Sequence, residues 1–429
     1  MSINFNHLVI EGVSYLHVLK LEINQAVNTH ARAEVIFTVD IQTGKNYMEE
    51  VQELEAVSIG IPEVIFIGVI ENAKIQYEDT YATIILKLIS TSSLWDVQRL
   101  NRSYQVIGDS YSTIMNKATN GNGIIEFQGN DKTSETMIVQ YKETIWEFIL
   151  RLAAECGEVV YVDPASRVPH VFIGSAGQSG SYSGNVTGTE AFSGNTEQYV
   201  PLTGKINGRT ISSSSTVMQN GQLVSSYESK ELSSLLSNQK PKYGGRVMAG
   251  TVMGVKKDQI QVHITDLDAE FDEGSNTWFP YSTAYSSESN HSGIYCMPIE
   301  GDCVRVFFPS EDLSQVFASS SNTMRGLLED YEEKCFQTPQ GMRVLFMKDG
   351  LHLMCNNKLI VIELLKDGRV NFYSETSIEV HAAGNVEFSA SEGNIKIESG
   401  NNICMATGNS LISIKKNDIT MVSDRIMTQ

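Results

Sequence analysis

No C-x-x-C pair occurs among the six cysteines of this 429-residue chain, and none of its eight histidines falls in H-E-x-x-H or H-x-H spacing. The sequence therefore offers no metal site and implies no cofactor. There is no G-x-S-x-G elbow, and "GNGIIE" lacks the third glycine of a nucleotide loop, so nucleophilic and nucleotide chemistry have no foothold. Basic residues are few: 32 Lys and Arg stand against 51 Asp and Glu, a formal charge of −19. Without a basic excess there is no counterion release to drive binding to nucleic acid or to an anionic membrane surface. Long apolar runs are missing too. The most apolar window, "VSIGIPEVIFIGVI", is broken by Pro62 and Glu63 and is too short to span a bilayer. The N-terminal "MSINFNHLVIEGVSYLHVLKLEI" has no basic start and alternates apolar with polar residues, so the expectation is a chain made in the cytoplasm without a signal peptide. The cysteines, Cys156, Cys296, Cys303, Cys335, Cys355 and Cys404, are expected to be buried free thiols of a reducing compartment.

What is present, in the last fifth, is a repeat. Apolar pairs at i and i+2 return every eight residues, with one step of nine: Val370/Phe372, Ile378/Val380, Val386/Phe388, Ile395/Ile397, Ile403/Met405, Leu411/Ser413 and Ile419/Met421. Each pair leaves one face of a short strand, while Glu, Lys, Ser and Asn take the other. Gly384, Gly393, Gly400 and Gly408 are expected to supply positive φ at the turns. Eight residues cannot enclose a core alone, since a one-chain solenoid needs roughly eighteen per turn. Two architectures fit: an antiparallel meander with Gly-Asn hairpins, or a prism in which three chains each supply one strand per layer. Seven layers of about 4.8 Å would make a needle of roughly 35 Å.

Upstream, residues 1–240 alternate β-type runs with one helix, "ETIWEFILRLAAECG", starting near Thr144 and stopping at Gly157. They end in a Gly/Ser-rich stretch at 174–240 where long loops are expected. Short alternating strands at 244–321 suit a small Greek-key barrel. A connector at 322–340 is too short for an inserted enzyme domain. The pair Glu329/Glu332 in "LLEDYEEK" has the sequence proximity of paired catalytic carboxylates, but reads as a solvated charged turn. Barrels of this kind often bind single strands through aromatics on a basic groove. Here Trp278, Phe279, Tyr281, Tyr285, Phe307 and Phe308 lie among Asp266, Asp268, Glu270, Asp272 and Glu273, which repel a phosphate chain.

Three stretches resemble one family, the VgrG-like spike proteins of contractile injection systems together with the hub and spike proteins of contractile phage-tail baseplates. "MIVQYKETIWEFILRLAAECGEVVYVD" resembles the hub pattern through Gln140, Tyr141, Glu143, Thr144, Trp146, Phe148, Arg151, Leu152 and Gly157. "GRVMAGTVMG" and "WFPYSTAYSSESNHSGIYCMPIEGDCVRVFF" are similar to the family's OB-fold, with Trp278, Pro298, Gly301 and Asp302 in place. The octads resemble its triple-stranded β-helix.

The resemblance implies a mainly β chain with a minor α+β part: a hub at 1–240, an OB-fold at 244–321, a connector at 322–340 and a trimeric β-helix spike at 341–429, with octads from about 370. It implies a structural, non-enzymatic homotrimer whose axis is lined by Val370, Phe372, Ile378, Val380, Val386, Phe388, Ile395, Ile397, Ile403, Met405, Leu411, Ile419 and Met421. Expected partners are tail tube and baseplate proteins, with the target membrane met only during puncture. A separate PAAR-like tip protein is expected on Ile419, Met421, Ile426 and Met427, because the pattern runs to the end of the chain without a closing cap. The spike would be delivered outward from an assembled particle, whether secretion system, phage tail or tailocin. The rival from another class is an exported β-helical adhesin that binds or hydrolyses carbohydrate.

Overall fold

A computed structural model describes residues 8–50, 56–61, 63–174, 191–194, 202, 205–206, 209–219, 222–287, 289, 292–320, 330–355 and 360–427. The fold is mainly β and divides into two compact units, Met1–Thr323 and Met324–Gln429. Part of the Gly/Ser-rich stretch and Glu329 lie outside the described residues. Where 174–240 is described, Arg209–Gln219 and Gln222–Lys230 pair as a long antiparallel hairpin in place of the long loops expected there, because their Ser and Thr residues keep strand parity.

In the first unit, one antiparallel sheet of ten strands includes the longest described strand, Glu63–Tyr77, and the long Arg209–Gln219. Its alternating runs explain themselves: in Ala82–Ser90 every second residue is buried, as a sheet covered on one face requires. Helix α1 (Ile41–Glu50), helix α2 (Tyr111–Thr119) and helix α3 (Ile145–Glu155) belong to the same unit. Only α3 is legible in the sequence. In α1 a glycine sits mid-helix, which propensity opposes; a Cβ on Gly44 would stand 2.9 Å from Ile75 Cδ1 and 3.0 Å from Val39 Cγ2, so close packing dictates the residue. A small sheet sets Ile124–Phe127 parallel to His170–Ile173, with Val160–Val162 antiparallel on the other side.

The barrel follows in the same unit. Strands Phe279–Pro280, Gln259–His263, Arg246–Lys256, Cys303–Phe308 and Phe317–Ser320 pair in that order. The ends meet through a bridge between Tyr281 and Ala318 and a bond from Ser282 N to Ala318 O of 2.7 Å, which closes the five strands as the OB-fold expectation requires.

The second unit opens with a five-stranded antiparallel meander, Lys334–Gln337, Arg343–Phe346, Gly350–Cys355, Ile360–Leu365 and Val370–Ser374. Residues 375–401 then contain no strand. A three-stranded antiparallel sheet, Asn402–Thr407, Ser410–Lys415 and Asp418–Val422, comes last. The hairpin arrangement is thus the one the last three octads adopt within the chain.

Further expectations need correction. Of the cysteines, Cys156 alone is buried; Cys296, Cys303 and Cys404 are exposed, and Cys335 and Cys355 half-buried, all with free thiols. The reason at Cys303 is strand parity, because Val304, Val306 and Phe308 take the inward positions of that strand. Of the four octad glycines, Gly393 and Gly408 have positive φ, whereas Gly384 and Gly400 do not; of the four, Gly408 alone sits in a turn joining two paired strands, so no hairpin geometry dictates φ at the other three.

Candidate functional site

The hub motif is a strand-to-helix junction held by buried polar groups. Strand Ile138–Glu143 enters α3 at Thr144, whose hydroxyl accepts from Glu147 N at 3.0 Å while Glu147 Oε2 accepts from Thr144 N at 3.1 Å, a reciprocal capping box. Gln140, fully buried, donates to the carbonyls of Glu143 and Thr144 at 3.1 and 3.3 Å. Lys142 has φ of 51° and forms a bulge opposite the step from Leu100 to Asn101. The extra residue turns the strand so that Glu143 meets Arg151. Their contact is a two-point pair at 2.8 Å each, with Arg151 4% and Glu143 1% exposed.

Arg151 also donates to Val139 O at 2.8 Å and to Glu155 at 3.2 Å. Burial acts to lower its pKa, and the bonds and charge of Glu143 outweigh that, holding the guanidinium above its ordinary value. Its cation lies 5.2 Å from the Phe148 ring centre, which stacks on Tyr104 at 5.5 Å. Trp146 packs against His30 with ring centres 4.2 Å apart and the rings tilted by 36°. Leu152 is core, and Gly157, with φ of 77°, follows the helix as its stop.

Strand Ile138–Glu143 has a second use that the sequence does not disclose. Ile138 is in the hub core, whereas Met137 and Val139 are in the barrel core and Tyr141 packs against it. One wall serves both cores through the twofold alternation of a strand. Polar ties reinforce it: Asp268 accepts from Ser103 N at 2.8 Å and from the Ser103 hydroxyl, and Gln105 O accepts from Thr277 Oγ1 at 2.7 Å. Burial raises the Asp268 pKa despite these bonds. Hub and barrel are therefore one mechanical body. Pro298 to Asp302 form the turn that feeds the barrel strand, with Gly301 N bonded to Val252 O at 2.9 Å and Asp302 Oδ2 accepting from Ile299 N at 2.9 Å. Among the barrel aromatics, Phe279 and Phe308 are core. Asp266 is committed to Ala249 N. Glu332 pairs with Lys348 at 3.2 Å.

In the second unit the exposed sheet face is apolar. The register of the five-stranded meander sets Phe336, Val344, Leu353, Ile362 and Phe372 in one cross-strand row, and Phe346, Leu351, Leu364 and Val370 in another on the same face. Phe336, Phe346, Val370 and Phe372 are each at least half exposed. The opposite face holds the buried Leu345, His352 and Val361. The first octad pair is thus the edge of a larger apolar face. Along 375–401, Ile378, Val380, Val386, Phe388, Ile395 and Ile397 are 47 to 75% exposed, and the segment makes no strand pairing among the described residues.

In the last sheet, Ile403, Ile414 and Ile419 form one row and Met405, Ile412 and Met421 the next. Leu411, expected with them, lies on the other face beside Ala406 and Val422, because the two-residue turn after Thr407 pairs Thr407 with Ser410 and so sets even-numbered positions against odd ones. Ile426 and Met427 are exposed.

No family model matches the chain, and no curated protein is significantly similar to it in sequence. Among solved structures, it is similar to the Escherichia coli c3393 protein, described as a type VI secretion component with similarity to T4 phage tail proteins gp27 and gp5. That match has 14% identity and a TM-score of 0.49, and covers 72% of this chain and 98% of the other. It is also similar to a chain of a Francisella PdpA-VgrG complex (11%, 0.47, covering 83% and 84%). A third similar structure is a 43 kDa tail protein of prophage MuSo2 from Shewanella oneidensis (10%, 0.40, covering 53% and 98%).

Proposed function

We propose that the chain is the structural central spike of a contractile injection apparatus, acting as a homotrimer. The observation that carries this is the run 375–401: apolar pairs at regular spacing, about half or more of their surface open, on a backbone with no strand partner among the described residues. Two further copies in the same register supply both the strands and the cover. Each side chain gains about 1 to 2 kcal/mol on being covered, since it is already partly shielded, and the gain repeats in all three copies. A closed prism hides its edges and pairs its backbone, which gives a shaft stiff enough to be driven through an envelope.

The fused hub and barrel form the rigid base on which tail tube and baseplate proteins assemble, and a PAAR-like tip protein seats on Ile419, Met421, Ile426 and Met427. The spike is built into the particle and delivered outward, meeting the membrane only at puncture. Its role is mechanical and not enzymatic. Incubation with peptidoglycan and polysaccharides should release no product, and cleavage abolished by Glu332→Gln would overturn that part. The tip is tested by co-expression with a candidate tip protein, where a three-to-one complex lost on changing Ile426 and Met427 to Ser is expected. The trimer is tested by the mass of the full-length protein in solution.

A further inference from the structure

The described strands divide the proposed needle at Gly400. Across 375–401 the apolar pairs have no partner strand among the described residues; after Gly400, the last three octads pair with one another. We infer that the distal segment 402–422 joins the trimer by a different mode: each copy contributes a complete three-stranded sheet as one side of a triangular prism, facing the axis with Ile403, Met405, Ile412, Ile414, Ile419 and Met421. This rests on the trimeric reading above and adds a register to it.

Three observations support this placement. The register gathers those six apolar side chains on one face, and they are exposed or half-buried there. The other face carries Asn402, Cys404, Ser413, Lys415, Asp418 and Thr420, with Ala406, Leu411 and Val422 in one row at its end; the buried Ser413 hydroxyl donates to Asn402 Oδ1 at 2.8 Å, so the polar groups at its centre are satisfied within the chain. The octad pattern itself stumbles here: the sixth pair would put Ser413 on the axis, whereas the sheet substitutes Ile412 and Ile414.

The occupant is two further copies of this chain. The unpaired run immediately upstream brings them to Asn402. Self-association is also what covers the apolar face and closes both free edges, Asn402–Thr407 and Asp418–Val422, at once. The dimensions agree. Three strands about 4.8 Å apart make a side of about 14 Å, whose centre lies about 4 Å from the axis of an equilateral prism, close to half of the usual spacing of about 10 Å between packed sheets. The central strand Ser410–Lys415 then points Ile412 at the axis and Leu411 outward.

The test is cysteine cross-linking of the full chain, with Cys296, Cys303, Cys335, Cys355 and Cys404 changed to Ser. Ile395→Cys probes the unpaired run, and Ile412→Cys and Leu411→Cys probe the distal sheet. A disulfide needs Cβ atoms within about 4 Å, so Ile412→Cys should give about tenfold more intermolecular product than Leu411→Cys. Ile395→Cys should also cross-link. Product at 395 and 411 but not 412 would show interlaced strands throughout and overturn the inference while leaving the trimer standing. Product at 395 with none at either distal position would overturn it as well. A monomer that cross-links nowhere would remove the trimer itself. Should Ile412→Cys misfold, the comparison of Ile412→Asp with Leu411→Asp replaces it: the first is expected to lower the melting temperature of the trimeric needle far more than the second, and equal or reversed effects refute the register.

Discussion

Replacing Arg151 by Met keeps much of the side-chain volume beside Phe148 but leaves the Glu143 carboxylate, 1% exposed, without its two-point partner. It also removes the donor to Val139 O. Breaking a buried ion pair from one side costs about 3 to 5 kcal/mol, because the remaining charge stays desolvated. Val139 lies in the barrel core while Arg151 lies on the hub helix, so the loss should loosen hub and barrel together. For a unit of this size each kcal/mol moves the melting temperature by about 2 °C, and calorimetry should show the first unit's transition lowered by about 6 to 10 °C. The double variant Glu143→Gln with Arg151→Met removes both charges and should recover a substantial part of the loss. A single variant within about 1 °C of the parent, or a double variant no better than the single one, would refute the assignment of the pair as the pin between the two cores.

Thr144→Ala removes the cap of α3 and the bond to Asp96 at 2.6 Å; a loss of about 1 to 2 kcal/mol in urea unfolding is expected, mostly restored by Ser. His170 lies 3.0 Å from both Asp163 and Glu126, and bonding to Asp163 raises its pKa above 6.5 against the effect of burial. Its contribution to stability is therefore complete below about pH 6 and lost as pH rises through the folded-state value. His30 acts oppositely, since burial lowers its pKa despite Asp96. The His170 part is accordingly read as a difference: His170→Gln should lose stability relative to the parent at pH 6 and less at pH 8. Ile395→Asp brings three carboxylates to the proposed axis and should abolish trimers without moving the first unit's melting transition; an unaffected trimer would count against the axis position of Ile395.

Legibility followed the range of the interactions. Helix α3 is readable because its cap, apolar stripe and stop are local. The barrel is readable because "QIQVHI" and "CVRVFF" alternate with period two, and that same alternation explains why Cys303 is exposed. Helix α1 escapes because Gly44 answers to Ile75 and Val39, neither of which is adjacent in sequence. The motif residues Gln140, Glu143 and Arg151 stand out as a pattern, but their joint purpose becomes visible only when the bulge at Lys142 turns Glu143 toward the helix. The face of the last octads depends on the two-residue turn at Gly408, where one step of register decides between Leu411 and Ile412.

The central claim is that residues 341–429 are completed by two further copies of themselves. Light scattering on the full-length protein across a range of concentrations measures this most directly. The account predicts three times the 47.5 kDa chain mass, unchanged on dilution and collapsing to one chain in the Ile395→Asp variant. A folded protein of a single chain's mass at every concentration would contradict it.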